Sequence, residues 1–146
     1  LAKEINDLRK KYPVLHIYYH SYMNNYSILS RSYDFRGIYG VEMDEDFYYR
    51  LGYALSTHTR ARTIMIGYDA RLSSLSLHDA FVAGASEAGS RLVSIGLCSS
   101  DMLSYGTCSS EDIDVGVMIT ASHNPREYNG LKSLSHSGEP IDLKTE

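Results

Sequence analysis

Residues 116–132 read GVMITASHNPREYNGLK, and this stretch decides the fold. The run from Val115 to Thr120 is apolar almost throughout, which is typical of a strand buried on both faces of a sheet. A polar loop follows the strand and carries Ser122, His123 and Asn124. Ligands of open α/β sheets bind in crevices at the carboxyl ends of strands, so this loop is the candidate site.

The residues after Ser122 indicate how the loop is held. Pro125 restrains the residue before it and stiffens the turn. Asn129-Gly130 is a dipeptide typical of a tight turn, so we expect it to fold the chain back and bring Lys132 toward the serine. A rigidly held hydroxyl near an imidazole and an ammonium suits phosphoryl transfer, in which positioning and charge neutralisation supply most of the catalysis.

The rest of the sequence alternates between short apolar runs and segments with helical spacing. The predicted further strands are residues 35–41, 63–66, 91–97 and 131–134. Apolar residues three and four apart predict one helix containing Phe47, Leu51, Ala54 and Leu55, and a second containing Leu77, Phe81, Gly84, Ala85 and Ala88. A short helical turn is predicted at residues 101–107.

The ends of the second helix carry recognisable signals. Ser76 and Asp79 have the spacing of a capping box, and Gly89 is placed to end the helix. Alternating strands and helices with short connections predict the α/β class. We expect a three-layer sandwich in which a mixed, mostly parallel sheet lies between helices.

The chain of 146 residues fits one core. We predict an N-terminal extension at residues 1–32, an α/β domain at 33–140, and at 141–146 the start of a linker to a second domain. The extension is rich in tyrosine. It is interpreted either as a variable segment packed on the domain or as a dimer contact.

Charge and composition exclude several classes of partner. With 14 basic and 18 acidic residues the net charge is −4, which argues against nucleic acid as a partner. No apolar run approaches the roughly 20 residues of a membrane span, and the start is not a secretory signal. Cys98 and Cys108 match no zinc pattern and are expected to be reduced thiols in a cytoplasmic protein.

Three motifs now point to a family. TASHNP at residues 120–125, followed by YNGLK at 128–132, resembles the active-serine signature of the α-D-phosphohexomutases. YDFRG at residues 33–37 resembles the N-terminal motif of that family, and GYDAR at 67–71 resembles its GxDxR strand end. The order of the motifs along the chain also fits. The sequence is therefore similar to the first, serine-bearing domain of phosphoglucomutases and phosphomannomutases.

The resemblance implies a mechanism and a role for each matched residue. Ser122 would carry phosphate as a phosphoserine, donate it to a hexose phosphate, and recover the other phosphate from the bisphosphorylated sugar. Lys132 matches the acid–base lysine, and His123 matches the neighbour that contacts the transferring group. Arg36 matches the arginine near the phosphoserine, and Tyr33 matches a contact at the mouth of the site. Tyr33, Arg36, Ser122 and Lys132 are thus expected to bind substrate.

The resemblance also implies a metal and further domains. Mg²⁺ is expected, with a phosphate oxygen of modified Ser122 as one ligand. The other metal ligands, the sugar-reading loop and the last phosphate-binding loop belong to later domains of the family and are absent from this sequence. The predicted function is therefore the phosphoserine domain of an enzyme that converts hexose 1-phosphate to hexose 6-phosphate, inactive as an isolated domain.

Some alternatives stay open. The chain could be a non-catalytic module that binds sugar phosphates, from a degenerate member of the family. A serine hydrolase is disfavoured because no G-x-S-x-G motif is present and His123, next to the serine, is poorly placed as its base. Arg36 could instead pair with Asp34. Asp69 and Arg71 are expected to hold each other and the strand end rather than touch substrate.

Overall fold

The computed structural model describes residues 34–142, which form one sheet with helices on both faces. The strands are β1 (Asp34–Ile38), β2 (Thr63–Tyr68), β3 (Arg91–Leu97), β4 (Val115–Ile119) and β5 (Tyr128–Ser135). The helices are α1 (Glu45–Thr59), α2 (Ser74–Glu87) and α3 (Ser100–Ser109). The predicted extension at residues 1–32 lies outside the described residues.

The five strands are ordered β1-β5-β4-β2-β3. β2 is parallel to both β3 and β4, whereas β5 is antiparallel to both β4 and β1. Four strands therefore run in one direction, and only β5 runs in the other. Their carboxyl ends meet at one edge of the sheet, called here the carboxyl edge. The predicted mixed, mostly parallel sheet is confirmed.

Alternating side chains of the central strands build two cores. Ile64 and Ile66 of β2 belong to the larger core, with the apolar faces of α1 and α2. Met65 of β2 and Met118 of β4 belong to the smaller core, with Leu103 of α3. All five residues of β4 are buried, as its apolar sequence predicts. The three-layer sandwich follows from this alternation.

The helix ends differ in part from the sequence prediction. The Asp44 carboxylate caps α1 by accepting the Phe47 N–H at 2.9 Å. The capping box predicted at Ser76 and Asp79 is wrong, because α2 already begins at Ser74 and the Ser76 hydroxyl donates to the Ser73 carbonyl instead. Gly89 does follow the end of α2, with a φ of +99°.

Two further predictions need correction. β1 ends at Ile38 rather than Val41, which lies exposed in the following turn. Asn129 and Gly130 form no turn but lie inside β5. A Cβ atom on Gly130 would come within 2.3 Å of the Phe35 carbonyl oxygen, so the glycine is required by close strand approach rather than by a turn.

The end of the described chain still contacts the sheet. The Ile141 N–H donates to the Ser133 carbonyl at 3.2 Å, and Ile141 packs against the larger core. The domain boundaries remain a prediction. Between residues 34 and 142, no helix combines the length and apolar character needed to cross a bilayer. Cys98 and Cys108 are both free thiols, as expected.

Candidate active site

The loop that joins β4 to β5, residues 120–127, carries the predicted serine at the carboxyl edge. Ser122 is half-buried and has a φ of +54°, in the left-handed region that residues other than glycine seldom adopt. Two local turns reverse the chain, with Asn124 N–H bound to the Ala121 carbonyl and Tyr128 N–H bound to the Pro125 carbonyl, each at 3.1 Å. The loop itself therefore makes the reversal.

Arg71, just after β2, lies against the loop and binds it through both terminal nitrogens. One nitrogen donates to the carbonyls of Pro125 at 2.6 Å and Tyr128 at 2.9 Å. The other donates to the carbonyls of Ser122 at 3.0 Å and Asn124 at 2.7 Å. The guanidinium thus joins three points of the serine loop and the first residue of β5 to the end of β2.

Asp69 links the same two elements. Its carboxylate accepts from the Arg71 Nε at 3.1 Å, from the Thr120 hydroxyl at 2.7 Å and from the Ser74 hydroxyl at 2.6 Å. Thr120 in turn accepts the backbone N–H of Ser122 at 3.0 Å. The expectation that Asp69 and Arg71 hold each other and the strand end is confirmed.

Arg36 reaches the serine loop from the neighbouring part of the sheet. Its Nη1 donates to the Asn124 side-chain oxygen at 3.2 Å and to the Ala121 carbonyl at 3.5 Å. Its Nη2 pairs with the Asp34 carboxylate at 2.8 Å. The pair with Asp34 is therefore present and the same guanidinium contacts the loop, whereas the role of Arg36 near a phosphoserine stays a prediction.

Lys132 lies on β5, opposite Met118 of β4 and Asp34 of β1. Residues directly opposite in neighbouring strands share a face of the sheet, so Lys132 lies on the same face as Asp34 and Arg36. His123 is exposed on the loop, next to Ser122. The roles given to both residues stay predictions, and Tyr33 lies outside the described residues.

Asn129 fixes the start of β5 below the loop. Its fully buried amide donates to the hydroxyls of Ser73 at 2.8 Å and Ser74 at 3.0 Å, and its oxygen accepts the Gly130 N–H at 2.8 Å. Buried amides are stable only when bonded in this way. The first residues of α2 are therefore attached to the same framework as the serine loop.

An open crevice of about 850 Å³ runs beside the loop at the carboxyl edge. Arg71 and Asn124 line it together with the exposed side chains of Leu72 and Arg126. Its position matches the expectation that ligands of such sheets bind beyond the strand ends. The lining also carries the carboxylates of Asp69 and Glu127, so its two arginines do not give the crevice a net positive charge.

The comparison with known families agrees with this geometry. The family model described as phosphoglucomutase/phosphomannomutase, alpha/beta/alpha domain I, matches residues 27–146. This chain belongs to the phosphoglucomutase/phosphomannomutase family. The family predicted from the serine loop is confirmed, and members of it are isomerases of carbohydrate metabolism.

Individual relatives match most of this chain but differ in their own lengths. It is 38% identical to a phosphomannomutase of Klebsiella pneumoniae over 115 residues, which cover 79% of this chain and 73% of that sequence. Identity to a phosphomannomutase of Salmonella montevideo is 36% over 123 residues, covering 84% of this chain and 26% of the relative.

A solved structure gives the same answer. A phosphoglucomutase/phosphomannomutase family protein from Burkholderia thailandensis superposes with a TM-score of 0.70 at 28% identity, covering 77% of this chain and 26% of that one. The chain thus spans about a quarter of the length of the Salmonella and Burkholderia proteins.

Sequence reasoning missed three features of this phosphoglucomutase/phosphomannomutase domain. It gave Arg71 no contact with the serine loop, did not single out Thr120 as an anchor, and did not foresee the left-handed backbone of Ser122. The GYDAR motif was the available signal for Arg71. The loop contacts link residues more than fifty positions apart, which no local pattern reveals.

Proposed function

We propose that this chain is the phosphoserine-bearing domain of a hexose phosphate mutase that converts hexose 1-phosphate to hexose 6-phosphate. The observation that carries the proposal is the anchoring of the Ser122 loop by Arg71 and Arg36 at the carboxyl edge. A serine whose loop is anchored by two guanidinium groups is held in one place, which suits a group that must accept and return phosphate.

The proposed reaction transfers one phosphoryl group at a time. A sugar hydroxyl attacks the phosphorus on Ser122, the Oγ–P bond breaks, and the sugar becomes a bisphosphate while the hydroxyl proton passes to Oγ. The bisphosphate then turns around and Oγ attacks the phosphorus of its other phosphate. The bond from that phosphorus to the sugar oxygen breaks, and the Oγ proton passes to the sugar oxygen. The enzyme ends in its starting form, and the sugar phosphate is isomerised.

Each predicted residue has a part in this scheme. We assign Lys132 the exchange of the proton between the sugar hydroxyl and Oγ, and His123 a contact with the transferring group. Arg36 offsets the charge of about −1.5 to −2 on a phosphoserine, and Tyr33 contacts the sugar phosphate at the mouth of the site. Lys132 and Arg36 lie on the same face of the sheet, which supports the proposal that both bind the substrate.

Mg²⁺ is proposed as the cofactor, and it would neutralise charge on the transferring phosphate. No group of three or more metal-ligating side chains occurs between residues 34 and 142. From this part of the chain we therefore assign the ion only a phosphate oxygen on Ser122. Its other ligands would come from further domains of the same protein, which are also the partners that complete the site.

The proposal has consequences for the isolated chain. We expect weak binding of hexose phosphate or bisphosphate and no turnover, since relatives such as the Salmonella phosphomannomutase are about three times as long. The two free thiols agree with a cytoplasmic location. No nucleic acid or membrane is proposed as a partner.

The test uses the intact protein that contains this chain, with Ser122→Ala and the exposed Ser86→Ala of α2 as a matched control. We expect mass spectrometry to find phosphate on Ser122 of the wild type and of Ser86→Ala, and both proteins to interconvert glucose 1-phosphate and glucose 6-phosphate. Ser122→Ala should lose both properties. Substrate binding without phosphate exchange on Ser122 would instead favour the sugar-phosphate-binding module.

A further inference from the structure

Every hydrogen-bond donor of Arg71 is used. A guanidinium has five N–H groups, and Arg71 has five acceptors: the Asp69 carboxylate and the carbonyls of Ser122, Asn124, Pro125 and Tyr128. The side chain is only 13% exposed. A largely buried cation with all donors satisfied is a built structural element rather than a surface charge.

The acceptors show what Arg71 is for. Four carbonyls, three in the loop and one from Tyr128 at the start of β5, converge on one planar group. The loop carbonyls cannot turn toward one point unless the backbone between them takes a particular shape. Ser122, whose own carbonyl is one of the four, takes the left-handed φ of +54°.

A second link fixes the other side of Ser122. Its N–H is held by the Thr120 hydroxyl, whose own proton goes to Asp69, and Asp69 also binds Arg71. The N–H and the C=O of Ser122 are therefore both attached to one ion pair. The pair lies at the end of β2, next to the strand that carries the loop.

We propose that Arg71 and Thr120 are positioning residues for Ser122, which hold its backbone in the left-handed conformation from which Oγ exchanges phosphate. This inference rests on the proposed phosphoserine function. Neither residue needs to touch the sugar, because their hydrogen bonds end on the loop and on Asp69. Loss of either link should therefore lower kcat and leave KM for the sugar phosphate nearly unchanged.

Charge alone would not serve this purpose. A lysine has three donors on one nitrogen and cannot reach carbonyls that diverge around a planar fork. Misplacement of a reacting group by about 1 Å lowers the rate by about 100-fold. We therefore expect Arg71→Lys to lower kcat by about 100-fold in the intact protein, while KM changes by less than about threefold.

Arg62→Lys is the matched control. Arg62 lies at the opposite edge of the sheet, its side chain is 90% exposed, and it makes one long ion pair with Asp114 at 3.8 Å. The kcat of the Arg62→Lys variant should stay within about twofold of the wild-type value. Circular dichroism and the thermal midpoint measure the fraction of each variant that is folded. Each kcat is divided by this fraction, so that only folded molecules are compared.

A second pair of variants tests the link at Thr120, even if Arg71→Lys fails to fold. Thr120→Val removes the hydroxyl at nearly constant volume, whereas Thr120→Ser keeps it. We expect kcat to fall at least about tenfold in the valine variant and to stay within about threefold in the serine variant.

The outcomes separate this inference from the function on which it rests. A wild-type protein without phosphate on Ser122 and without mutase activity would overturn the proposed function. An active wild type whose Arg71→Lys and Thr120→Val variants keep wild-type kcat per folded molecule would overturn only the positioning role. A rise in KM at constant kcat would also overturn it, since it would indicate substrate contact.

Discussion

At Ser122 the backbone stores a small amount of strain where the proposed chemistry takes place. The left-handed region costs a residue with a Cβ atom about 1 kcal/mol relative to glycine. Hydrogen bonds from Arg71 and to Thr120 offset this strain. The presence of serine at this position is therefore better explained by a need for its hydroxyl group than by a need of the backbone fold.

The strain predicts a separation of stability from activity. Ser122→Gly should raise the free energy of unfolding by about 1 kcal/mol relative to Ser122→Ala, because glycine adopts a positive φ freely. Both variants should lack phosphate transfer. Urea denaturation measures the difference between them, and equal stabilities would contradict the strained backbone.

Lys132 allows a test of the proposed acid–base role. A guanidinium keeps the positive charge but stays protonated, so it cannot exchange a proton as the Lys132 amine would. The kcat of Lys132→Arg should therefore fall nearly as far as that of Lys132→Met, by about 10²–10⁴-fold. The intact protein is assayed with saturating glucose 1-phosphate. If Lys132→Arg keeps most of the activity, Lys132 acts by its charge and the acid–base assignment is wrong.

At the level of single residues, the sequence predicted those side chains that belong to a local sequence motif. Ser122 and Arg36 were assigned to the candidate site this way, and the structure brings the Arg36 guanidinium to the serine loop. The contacts of Arg71 were not predicted, because a guanidinium's partners depend on which distant carbonyls converge on it. The same holds for the left-handed φ of Ser122.

At the level of elements, α1 and α2 approach so closely that their contact depends on two glycines. A Cβ atom on Gly52 would lie 2.3 Å from the Phe81 carbonyl oxygen, and one on Gly84 would lie 1.8 Å from the Tyr49 carbonyl oxygen. Both obstacles are backbone atoms, which cannot rotate away. The two helices can therefore form one layer only if both positions lack a side chain.

Gly84→Ala should lower the free energy of unfolding by at least about 2 kcal/mol, because overpacking outweighs the gain in helix propensity. Gly106→Ala in α3 is the matched control. Its Cβ atom would meet the flexible end of Met65 at 2.8 Å, so we expect a change within about 1 kcal/mol. Similar losses in both variants would contradict the close helix contact.

Asp114 connects the starts of two central strands and predicts a pH dependence. Its carboxylate accepts the N–H groups of Thr63 and Arg62 at 2.9 and 2.8 Å, and these bonds lower the pKa of Asp114 below its ordinary value of 3.8. A lowered pKa in the folded state stabilises the protein above the unfolded value, and this contribution is lost as the pH falls through the folded value.

Asp114→Asn should therefore lower the free energy of unfolding at pH 7 by about 1 kcal/mol, a modest value because the side chain is partly exposed. The difference from wild type should shrink as the pH falls below 3.8. Denaturation at several pH values measures it, with the exposed Asp112→Asn as control. A difference that does not change with pH would show that the carboxylate charge has no part in it.

The elements were predictable where one pattern dominated. The apolar run of β4 and the helical spacing in α1 and α2 gave the correct strand and helices. The prediction of a turn at Asn129-Gly130 was wrong because the same dipeptide occurs in tight turns and in strands that lie very close to a neighbour. Only the position of the neighbouring strand distinguishes the two cases. Ser76 and Asp79 matched a capping pattern one turn too late.

At the level of the whole molecule, the topology collects the proposed site at one edge. The ends of β2 and β4 are neighbours in the sheet, so Arg71 and Ser122 meet although they are far apart in sequence. β5 returns from the same edge and carries Lys132 back along the sheet. The fold class and the family were predictable from the sequence, because both depend on the order of motifs and elements.

The phosphate on Ser122 itself provides the most direct test of the central claim. The intact protein is labelled on Ser122 with radioactive phosphate, freed of excess label, and mixed with unlabelled hexose 1-phosphate in a single turnover. The account predicts that the label leaves Ser122, appears first in a hexose bisphosphate, and ends in hexose 6-phosphate. Label that stays on the protein, or is released only to water as inorganic phosphate, would contradict it.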